Sequence, residues 1–153
     1  MERHLRLKLE NGTFAGVTPT RSSIMSAIRG KSNKTTETTL RLALVRAGVS
    51  GWRLHARDIT GQPDFYFDVE KLAVFVDGCF WHGCSTCGHV PKTRSEFWGE
   101  KFKRNKARDV LVNRTLRREG IRVIRLWEHV LKDPQKRNRA VDRVRRTLSL
   151  TDT

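Results

Sequence analysis

The feature that most restricts the fold is the run Leu72-Ala73-Val74-Phe75-Val76, apolar at every position. A strand with one wet face alternates, so an unbroken apolar run belongs in the middle of a sheet with both faces covered. Pro63-Asp64-Phe65-Tyr66-Phe67-Asp68-Val69 precedes it across Glu70-Lys71. Two β-prone runs joined by a tight polar turn predict an antiparallel hairpin. Thr36 to Ala47 predicts a helix with Leu40, Ala43, Leu44 and Ala47 on one face, stopped by Gly48. Trp52 to Ala56 reads as a short strand, Ser95 to about Glu119 as a long helix ended by Gly120, and Ile121 to Trp127 as a further strand. Asp133-Pro134 opens a last, basic helix with an N-cap followed by proline. The expected class is α/β: a small mixed sheet flanked by helices.

Residues 1 to 33 are rich in Gly, Ser and Thr and weak in apolar periodicity, which predicts an arm with a short helix at Ser22 to Arg29. The division expected is an arm over 1–20, flexible or touching DNA, and one domain over 21–150. No apolar stretch approaches the ~20 residues of a membrane-spanning helix. Met1 to Glu10 lacks the apolar run of a signal peptide, so a cytoplasmic location is expected. The 31 Lys and Arg against 16 Asp and Glu leave a net charge of +15. Such a surface attracts polyanions, nucleic acid above all.

The three cysteines, Cys79, Cys84 and Cys87, crowd into one stretch of the Gly-, Cys- and His-rich loop over 77–94. In a reducing compartment that crowding points to metal rather than to disulfides. A closed zinc site takes four ligands, and His129 just after the last strand or His89 within the loop would complete it. Such a Zn²⁺ would be structural, because no position is left open for water.

Asp64 begins one arm of the hairpin and Asp77 ends the other, so both carboxylates are expected at one end of it, as a Mg²⁺ site would require. His82 follows closely and can take a proton near neutral pH. On the long helix Trp98, Phe102, Val112 and Leu116 mark the buried stripe, and Asn105 and Asp109 fall on it. A carboxylate on an apolar stripe needs a partner; His82 would suit Asp109, with an arginine or a turn toward the rim as the alternatives. Phe80 and Trp81 sit side by side in the polar loop, with Trp98 near the next helix, either as core or as a wedge between base pairs. Lys101, Lys103, Arg104, Lys106 and Arg108, with Lys136, Arg137, Arg139, Arg143, Arg145 and Arg146, offer basic helix faces that could follow phosphates.

Taken together, Gly61-Gln62-Pro63-Asp64-Phe65, Val74 through Cys84, Pro91-Lys92-Thr93 with Phe97-Trp98, Asn105 through Asp109, and Trp127-Glu128-His129 resemble the very-short-patch repair endonucleases, in order, from about Arg21 to Leu131. The resemblance implies a restriction-endonuclease-like fold and a Mg²⁺-dependent nick 5′ of the thymine in a T:G mismatch. It implies that Asp64 binds the metal, that His82 is catalytic with Asp109 supporting it, and that Glu37 lies near the metal. It further implies that Phe80, Trp81 and Trp98 intercalate beside the mismatch, that Asn105, Lys92 and Arg94 contact DNA, and that Cys79, Cys84, Cys87 and His129 hold zinc. Asp77 departs from the histidine of the best-known member and is expected to bind the metal directly, with Val76 giving its backbone carbonyl. The partners expected are double-stranded DNA with a T:G mismatch and proteins of a repair pathway, with the enzyme acting as a monomer. The alternatives are a nuclease of the same fold cutting matched or modified DNA in defence, and a non-catalytic zinc-stabilised DNA-binding module.

Overall fold

The computed structural model describes Leu9–Glu10, Thr13–Phe14 and residues 34–150. The chain divides into two units, Met1–Lys34 and Thr35–Thr153. In the first, β1 (Leu9–Glu10) pairs antiparallel with β2 (Thr13–Phe14). The helix expected at Ser22 to Arg29 and the arm boundary near residue 20 lie outside the described residues.

The second unit begins with the body of helix α1 (34–46). Its Leu40 and Leu44 are fully buried, with Ala43 and Ala47 packed beside the same core. The stop is set by Gly48 at φ 74°: its N–H donates to the Val45 carbonyl at 3.0 Å and the Val49 N–H to that of Leu44 at 3.0 Å. This paired closure satisfies carbonyls that the helix end would orphan, and glycine reaches the left-handed backbone without strain.

Four strands follow: β3 (Trp52–Leu54), β4 (Phe65–Phe67), β5 (Leu72–Asp77) and β6 (Arg122–Trp127), in the spatial order β3-β4-β5-β6. The hairpin is present, with Phe65 opposite Val74 and Phe67 opposite Leu72. Its turn is longer than expected, because Asp68 and Val69 leave the strand and Lys71 takes φ 48°. All six residues of β5 are buried. Its other neighbour, β6, runs parallel, Phe75 opposite Arg125 and Asp77 opposite Trp127. A parallel neighbour needs a crossover, and α2 (Ser95–Arg118) supplies it.

Strand alternation then sorts side chains between two layers. Phe65, Phe67, Leu72, Val74, Val76, Ile124 and Leu126 meet α1, α3 (Glu128–Lys132) and α4 (Pro134–Ser149). Tyr66, Ala73 and Phe75 face the other way, clustering with Leu116 and Val112 of α2. The result is a mixed four-stranded sheet flanked by helices, as expected. Helix α4 starts as the sequence predicts: Asp133 Oδ1 accepts from the Lys136 N–H at 3.0 Å, and Pro134 fills the first turn. Among the described residues no helix is long and apolar enough to cross a membrane.

Candidate active site

The loop between β5 and α2 is folded around its cysteines. The Cys84 N–H donates to the Cys79 carbonyl at 2.9 Å, and the Gly88 N–H to that of Cys84 at 2.8 Å. A Cβ on Gly88 would lie 2.4 Å from the Cys84 carbonyl oxygen, so only glycine closes this turn. The turn gathers the Sγ atoms of Cys79, Cys84 and Cys87 at 3.3, 3.6 and 3.6 Å from Nδ1 of His129. Sulfur and nitrogen sharing one tetrahedral zinc stand about 3.5 Å apart, from bonds of about 2.3 and 2.0 Å. The four ligand atoms therefore fit a closed metal site, and among the described residues it is His129, not His89, that joins the cysteines. His129 lies just after β6, as expected, in the short helix α3 (Glu128–Lys132). Its neighbour Glu128 ties the loop a second time, accepting from the Cys79 N–H at 3.3 Å.

Just past Cys79, the same loop presents Phe80, Trp81 and His82. Phe80 is half-buried, its ring 5.0 Å from Trp81, 5.2 Å from Trp98 and 5.4 Å from Phe102. Lys101 Nζ stands 5.1 Å over each of the Trp81 and Trp98 rings. The aromatics thus form one cluster, with Trp81 and Trp98 only partly covered and Lys92 and Arg94 exposed nearby in sequence. Asn105 holds this loop from α2, its Nδ2 donating to the Trp81 carbonyl at 2.8 Å.

One turn further along α2, Asp109 Oδ2 lies 2.7 Å from Nδ1 of His82, so the predicted pairing is present in the structure. Burial pushes the Asp109 carboxyl up, but the His82 hydrogen bond and the charges of His82, Arg125 and Arg108 outweigh it and hold the group below its ordinary range. An ionised carboxylate only accepts, so Nδ1 carries the proton of this hydrogen bond, and in the neutral ring the lone pair then lies on Nε2.

A residue that no sequence pattern singles out organises this corner. Arg125, in the middle of β6, donates from Nη1 to the Asp77 carboxylate at 2.8 and 3.1 Å and lies 3.4 Å from Asp109 Oδ1. Its Nε donates to Asn113 Oδ1 at 2.9 Å, and its guanidinium covers the Phe75 ring at 4.4 Å. Asp77 is nearly fully buried and has its second partner in His82, whose Nε2 is 3.8 Å away. The structure therefore places Asp77 with Arg125 and His82, whereas the expectation paired it with Asp64 at a cation. Alternation explains the difference: Asp77 shares a strand face with Phe75, and Arg125 stands opposite Phe75 in the parallel register.

The described residues that gather around Asp64 are Glu37 of α1 and His55, just past β3; their ligand atoms lie within 4.8 Å of one another. Val76 enters through its N–H, which donates to Asp64 Oδ2 at 2.7 Å, where the expectation used its carbonyl. Burial pushes the Asp64 carboxyl up to about 6; the Val76 hydrogen bond opposes this, and the nearby Glu37 charge adds to it. A buried carboxylate beside a second acid is what a divalent cation would relieve, and this donor set suits one.

This arrangement has the parts that a hydrolytic site needs: an acidic group that could hold a cation, a histidine paired with a carboxylate, and a chain of net charge +15. The family model for DNA mismatch endonuclease Vsr matches residues 17–89. The chain is 40% identical to the type II nicking enzyme V.NaeI of Lentzea aerocolonigenes, over 78% of this chain and 74% of that one. It is 39% identical to the type II nicking enzyme V.XorIIP of Xanthomonas oryzae pv. oryzae, covering 74% and 82%. With the DNA mismatch endonuclease Vsr of Escherichia coli K12 it shares 37% identity over 76% and 74%. The chain belongs to the Vsr family and is a DNA endonuclease.

Proposed function

We propose that this endonuclease nicks one strand of double-stranded DNA on the 5′ side of the thymine in a T:G mismatch, acting as a monomer on a restriction-endonuclease-like scaffold. The observation that carries the reading is the adjacency of Phe80-Trp81 and His82 on one loop clamped at Cys79 and Cys84. Aromatics that wedge into an unstacked step and a base that acts on the backbone are then held in fixed relation. A weakly paired T:G step costs less to unstack than a matched one, which favours mismatched DNA. The names of the relatives, a mismatch endonuclease and nicking enzymes, support the same reading.

In this reading Asp109 fixes the tautomer of His82, and Nε2 accepts the proton of the attacking water. The imidazolium so formed is stabilised by Asp109 and by Asp77 at 3.8 Å. Asp64, with Glu37 beside it, would hold a divalent cation, Mg²⁺ being the expectation, and that cation would neutralise charge developing on the phosphate. Trp81, Trp98, Lys92 and Arg94 contact the duplex, while Asn105 acts through the loop it holds. The cysteines and His129 would hold structural Zn²⁺ and supply no step.

The test uses duplexes with one T:G mismatch in varied contexts beside matched controls, each strand labelled in turn. A Mg²⁺-dependent nick confined to the thymine strand is expected, abolished in Asp64→Ala and slowed about 10²- to 10⁴-fold in His82→Ala. Equal cutting of matched DNA would sink the mismatch reading.

A further inference from the structure

His55 is the one member of the acidic group that neither the sequence pattern nor the reaction just described uses. It sits where β3 breaks off, at φ 49°, a left-handed conformation that residues other than glycine seldom adopt. The break is held in place: the His55 N–H donates to the Asp64 carbonyl at 3.1 Å, which continues the Leu54–Phe65 pairing by one residue. His55 and Asp64 are thus opposite one another across two strand ends. Glu37 arrives from α1, and its Oε1 lies 3.0 Å from Nε2 of His55.

Adjacent ligands on one octahedral ion stand about 3.0 Å apart and opposite ones about 4.2 Å, from bonds of about 2.1 Å. The Glu37–His55 separation of 3.0 Å matches that adjacent edge, as it also matches a direct hydrogen bond, and an Asp64 oxygen lies within 4.8 Å of both, close enough for a small shift to bring all three onto one ion. A histidine present only to balance Glu37 has no need of Asp64, and over half of its side chain faces solvent, from where an ion enters.

We propose that His55 is a nitrogen ligand of the catalytic cation, so that Glu37, His55 and Asp64 form a mixed carboxylate–imidazole site that takes a borderline transition ion such as Mn²⁺ in preference to Mg²⁺. Mg²⁺ is bound by oxygen and gives up water reluctantly, whereas imidazole suits transition ions. The inference rests on the cation reading of Asp64 and adds to it the third ligand and the choice of ion.

The experiment uses the zinc-loaded full chain and needs no DNA. Mn²⁺ is titrated into the native protein and into His55→Gln, the free ion is followed by electron paramagnetic resonance, and bound Mn²⁺ is probed for modulation by directly coordinated ¹⁴N. The native protein is expected to bind Mn²⁺ about ten-fold more tightly than the variant and to show nitrogen modulation that the variant lacks. Mg²⁺, added in competition, is expected to bind the two within about two-fold, since glutamine restores an oxygen donor. Equal Mn²⁺ affinity, or nitrogen modulation unchanged in His55→Gln, overturns the proposal. Asp64→Ala is expected to lose Mn²⁺ binding, and retention there would place the ion elsewhere and overturn it too. Strand nicking is scored separately: nitrogen-coordinated Mn²⁺ without any nick at T:G supports this ligand set while removing the nicking reading.

Discussion

Two clusters of metal-type side chains lie in one small domain, and they are built on opposite principles. The cysteine–histidine group is gathered by a short loop whose own backbone hydrogen bonds close it, with Cys79 and Cys84 buried. The acidic group is gathered by tertiary structure alone: Glu37 from a helix, His55 from a broken strand, Asp64 from the start of another. In the first, four soft ligands are placed as a tetrahedral ion would need, and the binding energy of such an ion would become folding energy. In the second, a buried carboxylate is left in an environment that disfavours its charge, and a cation held there would relieve it. One cluster should stabilise the chain and the other should strain it.

The sharpest way to break that contrast is at the clamp. If the cluster holds zinc as proposed, His129→Ala is expected to fail to retain it by native mass spectrometry, to destabilise the domain by several kcal/mol and to cut nicking roughly 10³-fold or more, since Phe80 and His82 ride on the same loop. A folded, active, zinc-free variant would show that the clamp is ornamental. Next in size is Arg125, a closed polar centre without a metal. Arg125→Gln leaves Asp77 buried beside Asp109 and is expected to cost about 3–5 kcal/mol in urea unfolding, with Asp77→Asn added to it recovering most of the loss. No recovery in the double variant would mean that Asp77 does not owe its burial to Arg125.

At the acidic group the sign reverses. A carboxyl whose folded value is raised to about 6 binds its proton more tightly folded than unfolded. Its ionisation costs stability progressively as pH rises from about 4, and in full above about 6. Asp64→Asn, without added cation, is therefore expected to stabilise the protein at pH 8 by up to roughly 3 kcal/mol, and to make no difference near pH 4. A loss of stability at pH 8 would end the contrast. The smallest effect belongs to Asp109, whose folded value is lowered. Its contribution is present above the ordinary aspartate range and lost as pH falls through the folded value. Asp109→Asn should cost about 1 kcal/mol at pH 7, and the gap from the native protein should close on acidification.

The same contrast decides what could be read in the chain. Cys79, Cys84 and Cys87 are near neighbours, so their spacing announces a metal before any fold is known. Leu72 to Val76 announces a central strand for the same local reason, and the 3.6-residue period brings Asp109 onto the buried stripe of α2 where His82 finds it. Arg125 was not legible. It lies two residues before Trp127 in a strand whose charged positions look like a solvent-facing edge, and only the docking of α2 on that face makes it interior. His55 was hidden for a different reason, since its place depends on one backbone angle that no composition rule forecasts. Asp77 looked like a partner for Asp64 because both end the hairpin together; the partner it has stands on the neighbouring parallel strand, out of reach of any local pattern.

Helix α2 does more than cross from β5 to β6. Trp98 and Phe102 sit in the aromatic cluster, Asn105 grips the loop, Asp109 steadies His82, and Leu116 is anchored in the core. Trp98 and Asp109 are eleven residues apart, about 16 Å along an unbroken rod. If the aromatic end meets DNA as proposed, such a rod would behave as a gauge: a base pair that yields would let that end seat, and one that resists would push the whole rod off its stop. Discrimination between a sound step and a faulty one would then be registered as alignment at a distance, with the sensing tip and the working jaw fixed to the same bar.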